Sequence, residues 1–179
     1  MRIISGLWRG RAIVAPKGDA TRPTADRTRE ALFSMLTSRL GSFEGLAVAD
    51  LFAGSGALGL EALSRGAGSC IFVEQDRAAI DALKANIAKL GTKADVRAQS
   101  VLALPPATQP LDVILMDPPY GTGAGMVALD RLNRLGWVSD ATWISIETAK
   151  TETVEVEGFT ADAERTHGKM RITLLRRTA

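Results

Sequence analysis

At 179 residues, 46% hydrophobic and 23% charged, the chain has the size and composition of one globular domain able to bury a core. No apolar run approaches the roughly 18 residues that span a bilayer, the start Met-Arg-Ile-Ile-Ser-Gly lacks the core of a secretion signal, and a single cysteine, Cys70, excludes an internal disulfide, so the cytoplasm is the expected compartment. The net charge of +2 is segregated: residues 1–40 carry eight Arg and Lys against three acids, residues 164–179 five against one, and the middle is acidic. Basic ends suit either contact with a polyanion or ordinary solvated surface.

In chain order, residues 1–20 alternate apolar and polar positions around Gly6 and Gly10, which predicts a short β-hairpin. A helix follows, with Thr24 or Asp26 as its cap, Ala31, Leu32, Met35, Leu36 and Leu40 on one face, and Gly41 as its stop. Residues 46–52 (LAVADLF) read as a buried strand, then a glycine turn and a helix to about Arg65. Further strands are expected at 69–75, 94–98, 111–120 and 141–147, and helices at 77–90 and 124–135, with a Pro-rich loop around Pro105, Pro106 and Pro110. The tail alternates as two antiparallel strands, 159–167 and 169–177, joined near Gly168.

Apolar strands alternating with helices predict a mostly parallel sheet covered on both faces. The expected fold class is therefore α/β and Rossmann-like: a mostly parallel sheet closed by a C-terminal antiparallel hairpin. The predicted division is a basic hairpin-helix extension over 1–44, for contact with the target, and a core over 45–179.

Two motifs carry chemistry. Gly54-Ser55-Gly56-Ala57-Leu58-Gly59 fits G-x-G-x-x-G between a strand and a helix, and Glu74 lies 20 residues past Gly54 at the next strand's end. That is the dinucleotide fingerprint, and a nicotinamide dehydrogenase is the reading it first suggests. Asp50 argues against it, because a carboxylate just before the turn repels a pyrophosphate and attracts an amino-acid ammonium. S-adenosylmethionine has an ammonium and a ribose but no phosphate. Asp50 is accordingly assigned to its amino-acid end and Glu74 to its ribose, with Phe52, Ala53, Gly54, Ser55 and Gly56 as further cofactor-binding residues. Gln99 and Ser100, after the third strand where an acid is usual, are the candidates for adenine; no metal is called for.

Asp117-Pro118-Pro119-Tyr120 ends the fourth strand, where open α/β sheets place their ligands. The nitrogen of an exocyclic amino group is a poor nucleophile because its lone pair is delocalised into the ring. The Asp117 carboxylate and Pro118 carbonyl can accept its two N–H bonds and localise that lone pair. The prolines hold these acceptors in place before the substrate arrives, and the Tyr120 ring can stack on a flipped base. The tetrapeptide predicts methyl transfer to an amino group without choosing among adenine N6, guanine N2, cytosine N4 and glutamine. About 45 residues precede the core and almost nothing interrupts it, which disfavours a duplex-DNA enzyme with its own reading domain.

The N-terminal residues sharpen this. Met1-Arg-Ile-Ile-Ser-Gly-Leu-Trp-Arg-Gly-Arg11, Thr21-Arg-Pro-Thr24 and Asp26-Arg-Thr-Arg-Glu-Ala-Leu-Phe33 resemble the bacterial RsmD family. The likeness extends over the rest of the chain, with Ser5 in place of a common glycine and a looser match at His167-Gly168-Lys169. The resemblance implies a Rossmann-like, seven-stranded class I methyltransferase that uses S-adenosylmethionine. It also implies methylation of guanine N2 in 16S rRNA on the assembled 30S subunit or a late precursor, with adenine N6 of DNA or RNA as the alternative. Within that frame Arg22 and Thr24 border the target pocket and Arg27 and Arg29 contact phosphate; a monomer is expected because nothing in the sequence demands more. Trp8 either stacks on RNA or covers the core, and His167 is assigned a structural role.

Overall fold

The computed structural model describes residues 1–15 and 23–179, the side chains of Pro23 and Thr24 apart. Four helices, a short 3-10 turn and seven strands follow one another in the order α1 (Pro23–Leu40), β1 (Ala47–Leu51), α2 (Ala57–Ser64), β2 (Ser69–Glu74), α3 (Arg77–Leu90), β3 (Asp95–Ala98), the 3-10 turn (Val101–Ala103), β4 (Val113–Met116), α4 (Ala124–Arg134), β5 (Trp143–Ala149), β6 (Phe159–His167) and β7 (Met170–Arg177).

The strands form one sheet in the order β3-β2-β1-β4-β5-β7-β6. The first five are parallel, and β7 runs antiparallel between β5 and β6. The expected α/β class, with its mostly parallel sheet and closing hairpin, is what forms. Successive side chains of a strand point to opposite faces, and the core divides accordingly. Val48, Phe72, Val113 and Leu115 meet Leu32, Phe33 and Leu36 of α1, Leu60 of α2 and Leu83 of α3 on one face. Ala49, Leu51, Val73, Ile114 and Met116 meet Ala128, Leu129 and Leu132 of α4 and Trp137 on the other.

Two glycines allow α2 to lie close to the sheet. A methyl group on Gly59 would come within 2.4 Å of Phe72 Cε1 and 2.7 Å of Cys70 Sγ, and one on Gly56 within 2.3 Å of Leu83 Cδ1. Cys70 is buried, as expected of a small hydrophobe.

The N-terminal segment forms a shorter hairpin than its alternation predicts and docks it on α2. Its ladder is one antiparallel bridge, Arg2 with Ala12, with Ile3 N–H donating to Arg11 O, Gly10 N–H to Ile3 O and Ile13 N–H to Met1 O, each at 2.9 Å. Four further backbone donors go to α2: Ile4 and Ser5 N–H to the Glu61 carboxylate (2.8 and 3.0 Å), Leu7 N–H to Ser64 O (2.7 Å) and Trp8 N–H to Ser64 Oγ (3.0 Å). Gly6, at φ +90°, passes so close that a methyl group there would sit 1.9 Å from Ser64 O. Ile3 and Ile13 are buried in the same cluster as the sheet, and Trp8 is half-buried against it. Segment 1–44 thus shares the core of the rest of the chain. Helix α1 begins at Pro23, two residues earlier than a cap at Thr24 requires and four earlier than a cap at Asp26. Proline suits the first helical position, where its missing N–H and fixed φ cost nothing.

Candidate active site

In the sheet order the direction of progression reverses between β1 and β4. Open α/β sheets leave a crevice beyond their carboxyl ends at that point. Here it holds a cavity of about 450 Å³, with Asp50, Phe52, Ala53, Gly54 and Ser55 from β1 and its turn, and Met116, Asp117 and Tyr120 from β4 and its turn. The two motifs, 63 residues apart in sequence, thus meet on one wall. Glu147 and Ser145 of β5, Arg29 of α1, and His167, Gly168 and Lys169 at the β6–β7 turn complete it.

On the glycine side, Phe52 is the described non-glycine residue with positive φ (57°), a conformation that marks functional turns when surrounding structure enforces it. Asp50 is buried, its Oδ2 accepting from Gly59 N–H at 2.8 Å. Burial pushes its carboxyl well up from the ordinary range, the Gly59 bond opposes this, and the charges of Asp117 and Glu74 raise it further. The Glu74 carboxylate is fixed by three backbone donors: Gly54 N–H on Oε1 (2.8 Å), Gln75 and Asp76 N–H on Oε2 (2.9 and 2.8 Å). A carboxylate has about four lone-pair sites, which leaves one for a ligand hydroxyl. Glu74, Gly56, Gln99 and Ser100 lie outside the cavity wall. Ser100 Oγ instead caps the 3-10 turn at Leu102 N–H, and Gln99 Nε2 is buried without a hydrogen-bond partner among the described residues.

On the Asp-Pro-Pro-Tyr side, Asp117 is exposed, Pro118 buried, and Tyr120 49% exposed. Helix α4 buttresses the turn at Gly125, where a methyl group would lie 3.0 Å from Pro118 Cγ. The Gly121 N–H is held by Glu152 Oε1, and Thr122 Oγ1 donates to Pro119 O at 2.8 Å.

Glu147 is the functional candidate that the sequence reading missed. Burial and a hydrogen bond with Asp117 push its carboxyl up from 4.5 to about 10, with the Asp117 charge adding to them and a Tyr120 hydrogen bond opposing. A lone acid in a strand-like ATWISIE carries no signal of this kind.

The basic residues divide. Arg27 is exposed, as a phosphate contact requires. Arg29 is not placed for that role: it is 3% exposed, with Nη2 donating to Arg2 O and to Asp26 Oδ1 (3.1 Å) and Nε 3.5 Å from Glu61. It binds α1 to the N-terminal segment and to α2. Thr24 is within α1, but its side chain, like Arg22, is outside the described residues. His167, expected to be structural, borders the cavity, its Nε2 buried without a partner among the described residues.

Residues 1–176 match a family described as Conserved hypothetical protein 95. Ribosomal RNA small subunit methyltransferase D of Escherichia coli K12 is 39% identical over 150 residues, 83% of this chain and 74% of that protein. The Haemophilus influenzae protein of the same name is 38% identical over 175 residues, 94% and 89% of the two chains. The structure of yhhF from Escherichia coli superposes with a TM-score of 0.85 at 35% identity, covering 100% of this chain and 98% of that one. By these matches the chain belongs to the Conserved hypothetical protein 95 family, the RsmD family, alongside ribosomal RNA small subunit methyltransferase D.

Proposed function

We propose that this protein transfers a methyl group from S-adenosylmethionine to the exocyclic N2 of a guanine in 16S rRNA, acting as a monomer on the assembled 30S subunit or a late precursor. The observation that carries this reading is the meeting of the glycine turn and Asp117-Pro118-Pro119-Tyr120 on one cavity at the sheet's reversal point. The names of the relatives support rRNA as the substrate. Guanine is the base that the family resemblance implies.

The residues present fit the cofactor. Glu74 and Asp117 both lie within electrostatic reach of Asp50, and no described cation pairs with Asp50. A ligand with an ammonium and a sulfonium relieves that crowding of negative charge, whereas a pyrophosphate would add to it. A methyl group on Gly54 would have open space around it, so a ligand can approach the turn's backbone closely. Asp50 would hold the ammonium and Glu74 the ribose. The unpartnered Gln99 amide is available to the adenine. Once bound, the cofactor supplies a methyl group on a sulfonium, a good leaving group.

The chain's own residues then position the nucleophile. Asp117 and the Pro118 carbonyl accept the amino N–H bonds and Tyr120 stacks on the base. Arg27 contacts phosphate, with Arg22 and Thr24 beside the target. In-line alignment of this kind is worth several kcal/mol of barrier.

Incubation of the protein with labelled S-adenosylmethionine and undermethylated 30S subunits should place label on guanine N2. Asp117→Ala should lower the rate at least about 100-fold and keep affinity for S-adenosylhomocysteine. Label on adenine N6, or on DNA with none on the particle, overturns the reading.

A further inference from the structure

Strands β4 and β5 are parallel neighbours in which Met116 partners Ile146. The next residue on each is a carboxylic acid, Asp117 and Glu147, and both face the cavity. The sheet register therefore brings together two acids 30 residues apart. The two carboxyl groups lie within hydrogen-bonding reach of each other, and Tyr120 lines the same cavity. Two carboxyl groups can share a hydrogen bond only when one keeps its proton.

Among the described residues, no ion pair neutralises Glu147. From β1 the cavity presents Asp50, another acid. Arg29, from α1, is committed to Asp26 and Glu61. His167 and Lys169 line the cavity from the β6–β7 turn, and Arg171 on β7 donates to the carbonyls of Lys150 and Glu152. Asp117 is exposed where Glu147 is half-buried, so the more buried partner is the one that holds the proton.

We propose that Glu147 is a positioning residue for methyl transfer, donating a hydrogen bond that anchors Asp117 with its remaining lone pairs turned to the amino group of the base. The inference rests on the methyltransferase reading of the site. Without a second anchor an exposed aspartate samples several rotamers, and a rotamer change moves its oxygens by more than an ångström. A displacement of that order costs up to about 100-fold in rate. A neutral donor fixes Asp117 without adding another charge, and it leaves the carboxylate as the acceptor that the amino group meets.

The test compares Glu147→Gln, Glu147→Asp and Glu147→Ala on undermethylated 30S subunits, with S-adenosylhomocysteine affinity and thermal melting measured for each. An amide of the same length also donates to Asp117. Glu147→Gln should therefore keep kcat within about fivefold, while Glu147→Asp, a methylene short, and Glu147→Ala should lower it about 10- to 100-fold with KM for the particle within about threefold. At neutral pH the infrared difference spectrum of the wild type minus Glu147→Gln should carry the carbonyl band of a protonated carboxylic acid, with any Asp50 signal cancelled.

The proposal is overturned if Glu147→Gln is as slow as Glu147→Ala, the mark of an ionised acceptor reading the base. It is also overturned if Glu147→Ala matches the wild type, if the loss tracks cofactor affinity, or if the acid band is missing. A wild type that leaves the particle unmethylated sinks the methyltransferase reading by itself, and the infrared band still decides whether the proton is on Glu147.

Discussion

At the scale of single residues, Glu147 makes stability depend on pH. Its carboxyl keeps its proton to about pH 10 in the folded protein but loses it near 4.5 when free. Between these values the unfolded chain binds fewer protons than the native one, so stability falls as pH rises through the window. Glu147→Gln removes the titrating group. Its melting temperature should match the wild type near pH 4 and exceed it by about 2–4 °C or more at pH 8, since each 1 kcal/mol is worth roughly that in a chain of this length. A difference that does not change with pH would contradict the buried proton. Asp117 and Tyr120 were legible in sequence because four consecutive residues of special type follow an apolar strand. Glu147 was not, since its partner lies 30 residues away and only the register of β4 against β5 joins them.

At the scale of elements, the strands and helices of the core follow the apolar periodicity to within a few residues, and α3 begins and ends where its residues predict. Asp76 caps it by accepting from Ala79 N–H at 2.9 Å, and Gly91 ends it at φ 67°. Periodicity told only part of the N-terminal segment: its two arms do pair antiparallel, but Ile4, Ser5 and Trp8 N–H find Glu61 and Ser64 of α2. Charge misled at Arg29, because a count of basic residues cannot tell an exposed guanidinium from one buried against Glu61. That pairing predicts a large effect. Glu61 is fully buried and also pairs with Arg65 at 2.9 Å. Glu61→Ala leaves Arg29 buried beside a lost partner and should cost about 3–5 kcal/mol in urea denaturation. A loss below about 1 kcal/mol would show that the clamp contributes little.

At the scale of the whole molecule, the basic N-terminus retains an RNA-facing reading even though Arg29 is spent internally. Arg2, Arg9, Arg11 and Arg27 are all exposed. Neutralising phosphates releases counterions, so each such contact adds about 0.7 to 0.9 to the slope of log affinity against log salt. The double substitution Arg9→Ala with Arg27→Ala should flatten that slope for undermethylated 30S subunits by about 1–2 and leave S-adenosylhomocysteine affinity intact. An unchanged slope would move the RNA contact elsewhere. Among the described residues no helix is long and apolar enough to cross a membrane.

One side chain joins the two ends of this system. Asn86, fully buried on α3, accepts from Val14 N–H (2.7 Å) and donates to Val14 O (2.8 Å) and to Ser55 O in the cofactor turn (3.0 Å). The basic arm and the glycine turn therefore share a single amide. Thermodynamic linkage is reciprocal: on the proposed function, whatever order the occupied turn lends the arm through Asn86, RNA held by the arm returns to the turn as tighter cofactor binding, by the same factor.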